Sequence, residues 1–201
     1  MELLQETIKI KLKDLQPNPY KNQINGGKLN PEKIEKLKES INKDGFWAGL
    51  QCRKYDGVYQ IPFGHHRVEA AKQVLGKDTA IEIPLLDLSE EQMVRMLANE
   101  NAMQNEEYAI YQVDTVVMAR NWLLSCRPNR QPRQGKDSET ISSYDISEFL
   151  GKKNWSPDKV GQYLQMHLKL SPEILKDMKM QYSQAMIQLL KIRAAHFTAR
   201  E

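Results

Sequence analysis

The segment that decides the fold spans residues 61–76 and reads Ile-Pro-Phe-Gly-His-His-Arg-Val-Glu-Ala-Ala-Lys-Gln-Val-Leu-Gly. An apolar, strand-like run ends at Gly64, and a helix is predicted to begin at once. Apolar residues recur on one face of that helix, at Val68, Ala71, Val74 and Leu75. Gly76 stands where a C-cap glycine belongs. The pattern therefore predicts a strand, a glycine turn and a helix in that order.

The first turn of this helix has the chemistry of an anion site. A glycine lets the backbone approach a ligand closely, and the free N–H groups of a helix N-terminus favour negative charge. His65, His66 and Arg67 occupy the turn, so we expect cationic side chains to join these donors. The sequence therefore predicts a phosphate site at Gly64–Arg67. The alternative is a capping glycine followed by exposed polar residues.

A second candidate site is Asn99-Glu100-Asn101. It lies just past a helix that a Ser89–Gln92 capping box opens and that is predicted to run through Leu97. A carboxylate beside amide side chains suits Mg²⁺ that also holds nucleotide phosphates. The alternative is that these polar side chains only solvate a helix end.

The rest of the N-terminal half alternates predicted strands and helices. Asn30-Pro31 begins a helix that ends at Gly45, because asparagine is a good N-cap and proline fits the first turn. The strands are predicted at residues 8–12, 50–54, 58–63 and 81–88, with the middle two joined by the Asp56-Gly57 turn.

The C-terminal half reads as helices. Residues 106–124 are predicted to be helical, and residues 125–140 form a basic linker. A helix ending at Gly151 and a second one starting at Ser156-Pro157 then form a predicted helix-turn-helix. The apolar face of the second helix is assigned to Val160, Leu164 and Leu168. A third helix is predicted to start at Ser171-Pro172-Glu173.

The charge is divided unevenly between the two halves. Residues 1–119 hold 15 Lys and Arg against 18 Asp and Glu, whereas residues 120–201 hold 14 against 8. A basic half next to an acidic half suggests that the C-terminal part faces a polyanion. Cys52 and Cys126 lie far apart in the sequence, and we interpret them as free thiols in a reducing compartment. No apolar run has the length of a membrane span. We therefore expect a cytoplasmic protein.

Two boxes in the N-terminal half resemble those of the ParB/sulfiredoxin superfamily. Its partition proteins carry Gly-Glu-Arg-Arg-x-Arg-Ala, and Gly64, Arg67 and Ala70 match, while His65, His66 and Glu69 replace the Glu and two of the Arg. A Glu-Asn-x-x-Arg box follows in that family, and Glu100 and Asn101 match without the arginine. The family's Leu-x-x-Ser-Ile-x-x-x-Gly helix end is matched by Leu37, Ser40, Ile41 and Gly45.

The resemblance implies an α+β ParB/sulfiredoxin-like nucleotide-binding domain at residues 1–105, followed by an all-α domain at residues 106–201 with a helix-turn-helix at about 145–168. It implies a nucleoside triphosphate, CTP rather than ATP, and Mg²⁺ held by Glu100 and Asn101. The nucleotide-binding residues are then Gly64, His65, His66, Arg67, Gln51 and Asn101. Glu100 would be the catalytic residue if the protein is a CTPase or other NTPase of ParB type.

The C-terminal half is similar to the DNA-binding part of ParB proteins. Leu150-Gly151-Lys152, Tyr163-Leu164 and residues 169–174 stand in the family's order. Lys159, Gln162 and Gln165 are expected to face base edges of double-stranded DNA. Phosphate contacts are assigned to Lys152, Lys153 and Asn154.

The resemblance further implies a role in plasmid or chromosome partition. Nucleotide binding would close the N-terminal domains of a homodimer as a clamp on DNA, with a partition ATPase as a possible further partner, on the nucleoid or a plasmid and not at a membrane. Partition proteins usually carry a further C-terminal dimerisation domain, so we expect this sequence to be a shortened form or a short homologue.

Three alternatives remain open at this point. A ParB-superfamily nucleotide hydrolase or DNase would use Glu100 for metal and His65 or His66 as a general base. A sulfiredoxin-like reductase would need a cysteine where His65 stands. A non-catalytic adaptor would have lost nucleotide binding altogether.

Overall fold

The chain divides into two compact units, Met1–Gln104 and Asn105–Glu201. The computed structural model describes residues 6–46, 49–104, 109–126, 141–170, 173–174 and 177. The predicted third helix at Ser171-Pro172-Glu173 lies almost wholly outside the described residues.

The N-terminal unit mixes short strands with three helices, as expected for an α+β fold. The strands are β1 (Thr7–Lys11), β2 (Leu15–Gln16), β3 (Arg53–Tyr55), β4 (Val58–Gln60) and β5 (Ala80–Pro84). The helices are α1 (Pro31–Asp44), α2 (His65–Leu75) and α3 (Glu90–Gln104). Short 3₁₀ turns at Leu12–Asp14, Lys21–Gln23 and Asn25–Gly27 lie between β1 and α1.

The strands form two small sheets. In one, β1 pairs antiparallel with β5, and Ile10 lies opposite Ile81. In the other the order is β2-β4-β3, with β2 parallel to β4 and β3 antiparallel to it. Side chains alternate between the two faces of a strand, and the buried ones include Ile10 on β1 and Ile81 and Ile83 on β5. The core under these sheets includes Leu12, Leu50, Ile61, Val68, Ala71 and Ile83.

Helix α1 confirms the predicted start and stop signals. The Asn30 side chain accepts from the backbone N–H of Glu32 and Lys33, and Pro31 occupies the first turn. Gly45 follows the last residue at a φ of 79°, in the left-handed region that glycine tolerates. Ile34 and Ile41 are buried on the apolar face, so local signals were sufficient to place this helix.

Helix α3 corrects the sequence-based boundary. The Ser89–Gln92 capping box is present, with Ser89 N–H donating to Gln92 Oε1 at 2.8 Å. The helix does not stop near Leu97, however, but runs to Gln104. No proline or glycine follows Leu97, and Ala98 and Ala102 are strong helix formers. The Asn99-Glu100-Asn101 group therefore lies on the helix rather than beyond it.

Three other strands are shorter than predicted. The strands expected at residues 50–54, 58–63 and 81–88 correspond to β3, β4 and β5, and β3 ends one residue later than expected. Leu75, expected on the buried face of α2, is 38% exposed because it is the last residue of that helix.

The described part of the C-terminal unit consists of helices α4 (Ala109–Ser125), α5 (Ser143–Leu150) and α6 (Pro157–Lys169). Ser142 and Asp145 form a reciprocal capping box at the start of α5, and the Ser156 side chain caps α6. Trp155 between them is buried, and its ring packs edge-on against that of Tyr163 with centroids 6.2 Å apart. Val160 is buried on α6 as predicted, and Tyr163 is buried with it. Leu168, also assigned to the apolar face, is 71% exposed.

Candidate functional site

Gly64 begins helix α2 in a conformation that requires glycine. Its φ is 83°, in the left-handed region, and a Cβ placed there would collide with Leu50 Cδ2. The sequence-based expectation was a glycine that lets a ligand approach. The structure adds a packing reason, because the Leu50 side chain itself lies against the turn.

A carboxylate already lies at the N-terminus of α2. Glu100, half-buried on α3, accepts a hydrogen bond from the Gly64 N–H at 2.9 Å. Burial raises the pKa of Glu100 above its ordinary value, although the Gly64 N–H and the charges of Lys21, Arg67 and Lys33 act to lower it. The two boxes that were separated in the sequence are therefore joined by a direct contact. The N-terminus of α2 thus offers a backbone N–H donor of the kind that binds anions.

The two histidines are hydrogen-bond acceptors and not cations. His65 Nε2 accepts from the Asn18 N–H at 3.1 Å, and His66 Nε2 accepts from the Asn30 N–H at 2.9 Å. Burial, with the nearby lysines, lowers the pKa of His65 to about 3 and that of His66 to about 4. The expectation that these rings add positive charge at neutral pH is therefore wrong. A ring that accepts from a backbone N–H must be unprotonated at that nitrogen.

The remaining predicted nucleotide residues are placed as follows. Arg67 lies on the first turn of α2, and its Nη1 donates to the Gly49 carbonyl at 3.1 Å. Asn101 is half-buried on α3 next to Glu100. Gln51 is half-buried two residues after Gly49, and no hydrogen bond joins its side chain to this cluster among the described residues.

Sequence analysis missed four residues of this cluster. Asn18 and Asn30 donate to the two histidines, and Lys21 and Lys33 act on Glu100 through their charge. All four lie in the segment between β2 and the first turn of α1. A signal was present, because each asparagine precedes a proline and has a lysine three positions later.

Magnesium fits this cluster only as an ion shared with phosphates. Within the ranges that the structure describes, no group of three or more His, Cys, Asp and Glu side chains could hold a metal. Glu100 and Asn101 offer one carboxylate and one amide oxygen. Mg²⁺ is usually held in this way, by one or two carboxylates together with substrate phosphates and water.

A family model described as the ParB N-terminal domain matches residues 2–102, which is half of the chain. The chain belongs to the ParB N-terminal domain family. The match spans both boxes of the candidate site. It confirms the family resemblance that was inferred from Gly64, Arg67, Glu100 and Asn101.

One relative of known name matches about half of the chain. Stage 0 sporulation protein J of Bacillus subtilis (strain 168) is 36% identical over 108 residues, which are 53% of this chain and 36% of that protein. The chain thus matches little more than a third of the length of this relative.

Two solved structures share the fold. A Pnob8-like ParB-N domain has a TM-score of 0.57 at 15% identity, covering 82% of this chain and 70% of that one. The C-terminally truncated chromosome-partitioning protein ParB from Caulobacter crescentus, solved with the centromeric parS site, has a TM-score of 0.51 at 17% identity. It covers 84% of this chain and 75% of the other. At these identities the likeness shows the fold alone.

The ParB-like chain also presents the residues that were predicted to contact DNA. Lys152, Lys153, Asn154, Gln162 and Gln165 are exposed on the turn after α5 and on α6. Lys159 is half-buried, with its Nζ 3.3 Å from the Asn154 carbonyl and 5.4 Å from the centre of the Trp155 ring. No described helix is both long and apolar enough to cross a membrane.

Proposed function

We propose that this chain is a partition-type DNA-binding protein whose N-terminal unit binds a nucleoside triphosphate with Mg²⁺, with CTP favoured over ATP. One observation carries the nucleotide part. Three basic side chains, Lys21, Lys33 and Arg67, act on the Glu100 carboxylate, which accepts a backbone N–H at the start of α2. Membership of the ParB N-terminal domain family supports it.

In this proposal the chain's own groups bind and orient the phosphates. The N–H groups of the first turn of α2 and the Arg67 guanidinium contact phosphate oxygens, since both are donors that suit an anion. Glu100 and Asn101 hold Mg²⁺ against the same phosphates. When bound, the ion would neutralise part of the phosphate charge. Binding would close the N-terminal units of a homodimer on DNA.

The DNA-binding part rests on α5, the turn at Gly151 and α6, which we propose form a helix-turn-helix. Helix α6 borders an open groove of about 830 Å³, whose lining includes Gly161, Gln162, Gln165 and Lys169. In this assignment Gln162 and Gln165 face base edges, while Lys153 contacts phosphates. The ParB relative from Caulobacter crescentus was itself solved on a DNA site.

The enzymatic alternatives have less support. A hydrolase or DNase would use His65 or His66 as a general base, yet Nε2 of each ring already accepts a backbone N–H. A sulfiredoxin-like reductase needs a reactive thiol at the α2 turn. Cys52 is buried and burial raises its pKa to about 11, and Cys126 follows helix α4 in the other unit.

The nucleotide assignment predicts a loss of affinity in Arg67→Ala. A charge-assisted hydrogen bond contributes about 1.5–3 kcal/mol, so CTP affinity in the presence of Mg²⁺ should fall about tenfold or more. Calorimetric titration with each ribonucleoside triphosphate, with and without DNA, measures this. The control is Arg95→Ala, an exposed arginine on α3 that pairs with Glu91. Failure of the wild-type protein to bind any triphosphate at millimolar concentration would rule out the nucleotide assignment.

The DNA assignment predicts two different mutant phenotypes. Lys153→Ala should weaken binding to all sequences and reduce the salt dependence by about one unit, because it removes one phosphate contact. Gln162→Ala should cost roughly 1–3 kcal/mol on a cognate site and leave non-specific binding unchanged. Fluorescence anisotropy at several salt concentrations separates the two. Binding by a fragment of residues 1–104 as tight as that of the full chain would contradict the assignment.

A further inference from the structure

A four-residue pattern occurs twice before and at the start of α1. Asn18-Pro19-Tyr20-Lys21 and Asn30-Pro31-Glu32-Lys33 share the sequence Asn-Pro-x-Lys. In both copies the asparagine Oδ1 accepts the backbone N–H two residues later, at 3.0 Å from Tyr20 and 2.9 Å from Glu32. The two segments therefore form the same side-chain-capped turn.

The two turns are held by two consecutive residues of α2. The backbone N–H of Asn18 donates to His65 Nε2, and that of Asn30 donates to His66 Nε2. In both cases an asparagine backbone nitrogen donates to a histidine Nε2, at 3.1 Å for Asn18 and 2.9 Å for Asn30. Asn18 is further fixed, since its Nδ2 donates to the carbonyls of Pro62 and Met93 at 3.0 and 2.9 Å. The histidine pair thus anchors both turns at the N-terminus of α2.

Each anchored turn carries a lysine three residues after its asparagine. The Lys21 N–H donates to the Asn18 carbonyl at 2.9 Å, and the Lys33 N–H lies 3.4 Å from Asn30 Oδ1. The charges of both lysines act on His66 and on Glu100. Since the two turns meet at the start of α2, their lysines are brought to the same place.

Several cations lie around the Glu100 carboxylate. Lys21, Lys33 and Arg67 act on one carboxylate, that of Glu100. Lys33 is half-buried, and both its burial and the charge of Lys36 lower its pKa. Partial burial of a cation costs free energy that a nearby anion offsets. A polyanion with several charges would offset that cost.

We propose that Lys21 and Lys33 are phosphate-binding residues, presented as a pair by the two Asn-Pro-x-Lys turns, and that they bind the polyphosphate part of the ligand. The inference rests on the proposed nucleotide site and extends it. It also explains how the site could bind a polyphosphate although Arg67 is the only arginine that it keeps from the Gly-Glu-Arg-Arg-x-Arg-Ala pattern. Two lysines from a different segment supply the charge that His65, His66 and Glu69 do not.

The test compares charge removal at these lysines with charge removal beside them. Lys21→Gln, Lys33→Gln and the double variant are titrated by calorimetry with inorganic triphosphate and with CTP, each with and without Mg²⁺. Lys28→Gln is the matched control, because Lys28 is an exposed lysine between the two turns. Each single change should weaken inorganic triphosphate binding about tenfold, since it removes a charge-assisted contact. The control should stay within twofold.

A conservative variant separates phosphate binding from folding. Lys33→Arg keeps the charge and should retain most of the affinity, whereas a purely structural role of the lysine stem would make Arg and Gln equally harmful. Circular dichroism and the urea midpoint verify that each variant is folded. Double-variant affinity equal to that of Lys28→Gln would overturn the proposal.

The outcomes also distinguish this proposal from the nucleotide assignment. Loss of CTP binding in Arg67→Ala but not in the double lysine variant would leave the site standing and overturn the role of the lysines. Binding of inorganic triphosphate that depends on the lysines, with no CTP binding, would support the lysines and reject the nucleotide. A wild-type protein that binds neither probe would reject both.

Discussion

Arg53→Met should lower the free energy of unfolding by about 3 kcal/mol, because it removes a buried guanidinium together with its ion pair and its hydrogen bonds. The Arg53 side chain is only 3% exposed and forms an ion pair with Glu90 at the start of α3. Its guanidinium also donates to Gln60 Oε1 on β4 and to the Leu88 carbonyl at 3.1 Å. Tyr20 completes the network by donating its hydroxyl to Glu90 Oε2 at 2.7 Å.

The control for this variant is its neighbour on β3. Lys54→Met removes an exposed cation that lies 5.7 Å from the centre of the Tyr59 ring, and it should cost less than about 1 kcal/mol. Urea unfolding of the full chain at pH 7, followed by circular dichroism, measures both. Equal costs for the two variants would show that the Arg53 network does not stabilise the unit. Glu90→Gln should fall between them, since its single amide oxygen can still accept from Arg53 while its amide nitrogen can donate to the Tyr20 hydroxyl.

The parts of the fold that depend on local chemistry could be predicted from the sequence. Asn30, Ser142 and Ser156 cap helices exactly where their side chains can reach the next free N–H groups, and Gly45 and Gly151 end helices at positive φ. The end of α3 could not be predicted, because no proline or glycine follows Leu97 to mark where the helix stops. The buried face of α6 was predicted in part: Val160 is buried as assigned, but Tyr163, which packs on Trp155, is buried where Leu168 was expected.

The candidate site was predictable in its ingredients but not in its connections. Gly64 and Glu100 were singled out separately, and their hydrogen bond joins residues 36 positions apart. The histidines show the limit most clearly. An exposed imidazole, with a pKa of about 6.5, carries part of a positive charge near neutral pH, whereas a buried one is a neutral acceptor. Burial by segments 36 and 47 positions away is not visible in a local pattern. Lys21 and Lys33 belong to the site because the contacts of Asn18 and Asn30 with the histidines hold their turns against α2.

Glu100→Gln should change phosphate affinity in opposite directions with and without Mg²⁺. Without the ion, the Glu100 carboxylate occupies the Gly64 N–H that a phosphate oxygen would use, and it repels the phosphate. Two like charges about 6 Å apart repel by roughly 3 kcal/mol at an effective dielectric constant of about 20. Even half of that corresponds to about tenfold in affinity. The glutamine variant should therefore bind CTP about tenfold more tightly in EDTA.

With Mg²⁺ present the same change should weaken binding about tenfold, because a neutral amide is a poorer ligand for a hard cation than a carboxylate. The decisive quantity is the ratio of the two dissociation constants, which should shift by about a hundredfold between wild type and variant. Glu91→Gln, an exposed change on the same helix, is the matched control and should leave that ratio unaltered. A loss of equal size in EDTA and in Mg²⁺ would mean that Glu100 acts only through the packing of α3 on the α2 turn. The two signs separate these roles because only a carboxylate that competes with phosphate and also binds the ion can produce both.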